Sequence, residues 1–184
     1  MTARLRKPIA MAAAALALAG GATVTTSVAA HAAPRSCVWT SESTDGTESV
    51  RDGNGTVVVA GWIDQQYDYC GNTRAVFVWN NAFRTTGHPG ITGAWVRAIN
   101  QSYDNLGTWS DSGRTPVGSL AGPAVATASI GVHAGGTDSW TGESILHITY
   151  ANGQARDCVA WSTTHDYHTG GTIAGGVRNG TCQL

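Results

Sequence analysis

Two short runs, residues 56–63 (TVVVAGWI) and 73–79 (TRAVFVW), constrain most tightly what this chain can fold into. Both are dense in β-branched and aromatic side chains and too short for helices, so each reads as a strand covered on both faces. Residues 64–72 between them are polar and end in Cys70-Gly71-Asn72. The runs are therefore expected to pair as a long-looped hairpin with Cys70 held at its turn end.

The rest of the chain repeats the same theme. A first strand is expected at 37–40, another around Trp109 and a closing glycine-rich one near 172–178. Ala94, Val96 and Ala98 alternate with Trp95, Arg97 and Ile99. In 124–133, Ala124, Ala126, Ala128, Ile130 and Val132 fall on one face, taken as the inward one. Residues 145–161 read as a second hairpin turned at Asn152-Gly153, a dipeptide suited to a two-residue type I′ turn. That loop sets Tyr150 opposite Ala155, Leu146 opposite Val159 and His147 opposite Cys158. Leu146, Ile148, Tyr150, Ala155, Val159 and Trp161 then share a core face, with Asp157 stranded among them. About eight short strands and no amphipathic helix give an all-β fold, an antiparallel β-sandwich, with a small closed β-barrel as second choice.

The amino-terminal segment reads as a secretory signal. Arg4, Arg6 and Lys7 precede an apolar stretch, and Ala30-His31-Ala32 provides the small-x-small site, so residues 1–32 are expected to be removed. Residues 33–184 then form a single domain of 152 residues with no membrane anchor. This domain has eight arginines, no lysine and twelve acidic residues. That balance provides no basic patch for nucleic acid and excludes lysine chemistry. Its four cysteines, Cys37, Cys70, Cys158 and Cys182, are expected to form two disulfides in an oxidising, extracellular setting. Three pairings are open, and Cys37–Cys70 with Cys158–Cys182 is preferred because each closes a short loop.

No set of residues in the sequence is committed to bond-making. Trp109-Ser110-Asp111-Ser112-Gly113 is superficially like a serine protease loop, but the only upstream base is His88, and the segment reads as a turn. Asp52-Gly53-Asn54-Gly55 starts like a calcium loop but has Ile63 where a glutamate is needed. His165 and His168 are candidate metal ligands, with His133 or Asp157 to complete a set, if a loop brings their rings together. Otherwise no metal and no cofactor is expected. Most of the seven tryptophans are assigned to the core. Trp140, in a polar loop, and Trp95, sharing a face with Arg97, are expected to be exposed. With Tyr103 and Tyr167 they form the candidate ligand-binding set, able to stack on sugar rings.

Gly55-Thr56-Val57, Cys70 beside a β run, Asp111-Ser112-Gly113 followed by Ala121-Gly122-Pro123, Cys158-Val159-Ala160-Trp161 and Asn179-Gly180-Thr181-Cys182 resemble the spore-associated protein A type of small secreted four-cysteine protein. This chain differs by an apparent insertion between His133 and Asp157 and by more tryptophans. The resemblance implies an exported, cell- or spore-surface protein without catalytic machinery. The expected role is thus a non-enzymatic surface protein, with a carbohydrate-binding module as the alternative. The expected partner is a cell-wall or spore-surface polysaccharide or protein.

Overall fold

The computed structural model describes residues 36–183 except 44, 103–106, 113–117, 119, 121 and 174. The expected signal segment 1–32 and Tyr103 lie outside the described residues. In chain order the strands are β1 (Thr40–Ser41), β2 (Gly46–Arg51), β3 (Val57–Tyr67), β4 (Asn72–Trp79), β5 (Ile91–Ser102), β6 (Gly107–Asp111) and β7 (Ala124–Ala126). They continue with β8 (Ile130–Gly131), β9 (Ser139–Tyr150), β10 (Ala155–Trp161), β11 (His165–Asp166), β12 (Gly171–Thr172) and β13 (Gly180–Cys182). One short helix, α1 (Asn81–Thr85), follows β4 and is capped by the Asn80 side chain accepting from the Ala82 N–H.

Two sheets pack face to face and do not close into a barrel. The first runs β13-β2-β3-β4-β7, with β1 on β3 and β8 on β4. The second runs β12-β11-β9-β5-β6, with β10 on β9. All pairings are antiparallel except β13 on β2. The core between them takes Val50, Ile63, Ala75 and Phe77 from one sheet and Val96, Ala98, Leu146 and Ile148 from the other. From Ala94 in β5 and from Gly142 in β9 every second residue is buried, as a half-covered strand requires. The expected disulfides Cys37–Cys70 and Cys158–Cys182 are both present and place the chain in an oxidising environment. No described helix is long and apolar enough to cross a membrane.

The structure departs from the sequence expectations where polar side chains find partners. The 64–72 segment is mostly strand, not loop: β3 and β4 stay paired to Tyr67 and Thr73. Asp64 accepts from Ser41 at 2.7 Å, Gln65 donates to Asn100 at 3.0 Å, and Arg74 donates to Gln66. Only 68–71 turn the chain, with Asp68 accepting the N–H groups of Cys70 and Asn72. In 124–133 the inward residues are Val125, Thr127 and, as expected, Val132, while Ala124, Ala126 and Ala128 are exposed. Thr127 can be buried because its Oγ1 accepts the Ala75 N–H at 3.1 Å.

The second hairpin differs in register by one residue. Its loop is 151–153, not a two-residue turn: the Tyr150 N–H reaches the Gln154 carbonyl and the Gly153 N–H returns to Tyr150. Gly153 sits at φ +82°, as a type I turn closed by a bulge needs. Cys158 therefore opposes Leu146, and Asp157 opposes His147. One residue of slip exchanges the faces of the strand. Cys158 and Ala160 enter the core, whereas Asp157, Val159 and Trp161 turn outward. Asp157 thus leaves the core and meets the His147 ring, Nδ1 to Oδ1 at 2.6 Å.

Candidate functional site

The outer face of the second sheet carries the features most suited to a ligand. Alternation places Trp95, Arg97, Ile99 and Gln101 of β5 outward, beside Glu143, Ile145 and His147 of β9. Trp109 and Asp111 of β6 flank them on one side, and Asp157, Val159 and Trp161 of β10 on the other. Trp109 is 63% exposed, the most open large apolar side chain described. Arg97 lies between two indoles, its guanidinium 4.7 Å from the Trp109 ring and 5.8 Å from the Trp95 ring. It is pinned there by Asp111, Nε to Oδ1 at 2.8 Å, which holds the guanidinium charged. Trp95 in turn stacks on the His147 ring at 5.3 Å.

A diagonal of planar groups therefore crosses the sheet: Trp109, Arg97, Trp95, His147, then Asp157. Polar groups are fixed beside it. Gln101 donates to Glu143 at 2.7 Å. Burial lifts the Glu143 carboxyl above its ordinary value, while Gln101 and Arg178 pull the other way. Each charged group on this face is already held by a neighbour, so its remaining lone pairs and protons point in fixed directions. Such a surface can stack on flat apolar rings and hydrogen-bond hydroxyls at their rims.

Of the described residues expected to bind, Trp95 alone is on this face. Trp140 is a correction: it is fully buried, and its Nε1–H donates to the Val132 carbonyl at 2.7 Å. Counting back by twos from Leu146 reaches Ser144, Gly142 and Trp140, all on the inward face of β9. The expected loop is the start of that strand. Tyr167 is only partly buried and lies elsewhere, packed on His165 at 4.5 Å and Tyr67 at 5.1 Å. Burial pushes its hydroxyl up to about 12.

His165 and His168 are not brought together. His165 is buried on β11 with Nδ1 against the Glu42 carbonyl. It lines a cleft of about 250 Å³ with Tyr67 and Tyr69. His168 is exposed and nears Asp138, which His133 also contacts. Asp157, the other possible ligand, belongs to His147. Among the described residues the one close trio of ligand-type side chains is Cys37, Asp68 and Cys70, and its two thiols are spent in a disulfide. Ser112 Oγ accepts the Val96 N–H, while His88 stacks on Phe83, so the protease-like pieces serve the fold.

Sequence reasoning misses Trp109 as a site residue because a tryptophan in a short strand reads as core. The signal against that is local: Gly107 and Asp111, its neighbours at period two, offer no apolar face. Trp161 is missed through the one-residue slip. Compared with family models, with curated proteins and with solved structures, the chain matches none.

Proposed function

We propose that this is an exported, non-catalytic protein of the cell or spore surface that holds polysaccharide on the outer face of its second sheet. The observation that carries this reading is the exposed Trp109 ring separated from Trp95 by a pinned guanidinium. A pyranose ring has an apolar C–H face, which stacks on indole, and equatorial hydroxyls, which bond Arg97, Asp111, Gln101 and Glu143 in the plane of the sheet. A flat pleated surface suits an extended glycan chain better than a small enclosed ligand. A protein partner fits less well, because interface cores are depleted in charge and this face is crossed by charged pairs. The resemblance to spore-associated proteins agrees with a surface location, and the pair of disulfides agrees with export.

Sedimentation with insoluble chitin, cellulose and cell-wall sacculi tests the proposal. The protein should pellet with at least one of them and quench its tryptophan fluorescence on binding. Trp109→Ala removes a stacking side chain of about 2 kcal/mol, so affinity should fall at least about tenfold. Val57→Ala, at an exposed position on β3 of the first sheet, should bind as wild type. Failure to bind any glycan, or binding indifferent to Trp109→Ala, would remove the reading.

A further inference from the structure

We infer that Gln65 and Thr73 form an intramolecular ester that joins β3 to β4. Both side chains are fully buried, and the Gln65 carboxamide nitrogen is in contact with Thr73 Oγ1. The carbon that would be attacked is one C–N bond, about 1.33 Å, beyond that nitrogen. An amide N–H donor holds the hydroxyl in the carboxamide plane, so a turn of that plane is needed to bring Oγ1 onto Cδ. The site is closed to water, which would otherwise hydrolyse the product.

The amide form leaves two polar groups beside the pair without partners. Gln65 Oε1 and Asn100 Nδ2 are buried and have no hydrogen-bond partner, although Asn100 Oδ1 accepts from Gln65 Nε2 at 3.0 Å. Two orphans on touching amides are costly, roughly 1–3 kcal/mol each.

The reaction balances without a co-reactant. Thr73 Oγ1 attacks Gln65 Cδ, the Oγ1–Cδ bond forms and the Cδ–Nε2 bond breaks. The hydroxyl proton ends on the departing nitrogen, which leaves as ammonia. In the resting pair Thr73 Oγ1 donates to the Gln66 carbonyl at 3.0 Å; turned to Tyr167, whose hydroxyl is 3.3 Å away, it hands the proton to the relay. Burial keeps that phenol protonated, so it can donate to the leaving nitrogen as it receives from Thr73. The link would sit in the same hairpin that Cys37–Cys70 ties at its tip, giving the exported chain a third covalent staple, one that reductants do not open.

Peptide mass mapping of the purified, reduced and alkylated protein tests this. Chymotrypsin cuts after Trp62, Tyr67, Tyr69 and Phe77, separating Gln65 from Thr73. Peptides 63–67 and 70–77 should emerge joined and about 17 Da, one ammonia, below their summed mass. Localisation matters because succinimide formation at Asn54, Asn152 or Asn179, each before glycine, also releases ammonia. Hydroxylamine should separate the joined pair. Thr73→Val should give the two peptides apart, and Tyr167→Phe should lower the joined fraction severalfold in freshly made protein. Two separate peptides of full mass in the wild type would overturn the ester, and complete joining in Tyr167→Phe would remove the relay.

Discussion

Replacing Glu48 by Gln should stabilise the protein at neutral pH, and increasingly so as pH rises. Glu48 lies on β2, inside the core and fully buried. Ser144 donates to its Oε1 at 2.9 Å and the Ala160 N–H also reaches it. Both bonds favour the charged form, yet burial outweighs them and pushes the carboxyl from its ordinary 4.5 up to about 8. A raised carboxyl makes its full contribution below pH 4.5 and loses it as pH climbs through 8, because the unfolded chain ionises first. At about 1.36 kcal/mol per pKa unit, the cost is about 3 kcal/mol at pH 7 and approaches about 5 kcal/mol above pH 8. The Glu48→Gln amide has no proton to lose, so it avoids this cost and keeps the acceptor for Ser144. Urea unfolding of both proteins at intervals from pH 4 to 9 reads the difference directly. At pH 7 the melting temperature of the variant should be higher by about 6–12 °C. Asp45, lifted to about 6 by burial and then by neighbouring Asp64, slopes the same way, but the subtraction cancels it. A difference between the two proteins that stays flat from pH 4 to 9 would refute the reasoning.

Three further outcomes are expected. Replacing Cys158 and Cys182 together by Ser should cost about 3–4 kcal/mol by loop-closure entropy, measured by denaturant unfolding against the intact protein. Trp140→Phe should cost about 2–4 kcal/mol through the vacated volume and the orphaned Val132 carbonyl, seen as a lower unfolding midpoint, while leaving glycan affinity unchanged. Asp157→Ala should shift stability by less than about 1 kcal/mol, since its carboxylate is exposed beside His147.

The sequence reveals the layers of this fold better than its site. Runs of β-branched residues locate β3, β4, β5 and β9, because burial on a pleated surface leaves that mark at period two. The two disulfides follow from the cysteine positions. What stays hidden is long-range partnering of polar side chains. Asp64, Gln65 and Gln66 look like loop residues until Ser41, Asn100 and Arg74 are brought beside them. Glu48 gives no hint that it belongs in the core, because its partner Ser144 is 96 residues away. The candidate face is hidden for a related reason. Trp109, Arg97 and Trp95 come from two strands, and only their register shows that the rings flank one guanidinium.

Deleting Ala151 separates the two possible registers of the second hairpin and with them the assignment of the outer face. In the observed register Tyr150 and Gln154 flank the three-residue loop, so removing Ala151 leaves Asn152-Gly153 as a two-residue connection between the same pair. Asn and Gly both tolerate the positive φ of a type I′ turn, so Cys158 stays opposite Leu146 and the disulfide to Cys182 still closes. The loss is the Ala151 N–H bond to the Gly90 carbonyl, about 1 kcal/mol. Had Ala151 and Gln154 flanked a two-residue loop, the same deletion would move the pairing by one residue and exchange the faces of β10. Groups selected for solvent and for core would then change places, at a cost of several kcal/mol for the charged ones. Melting of the deletion variant within a few degrees of wild type, with the disulfide intact by mass mapping, is the expected result. Loss of folding would mean that Asp157, Val159 and Trp161 do not face outward, and the tryptophan-lined surface would lose its β10 side.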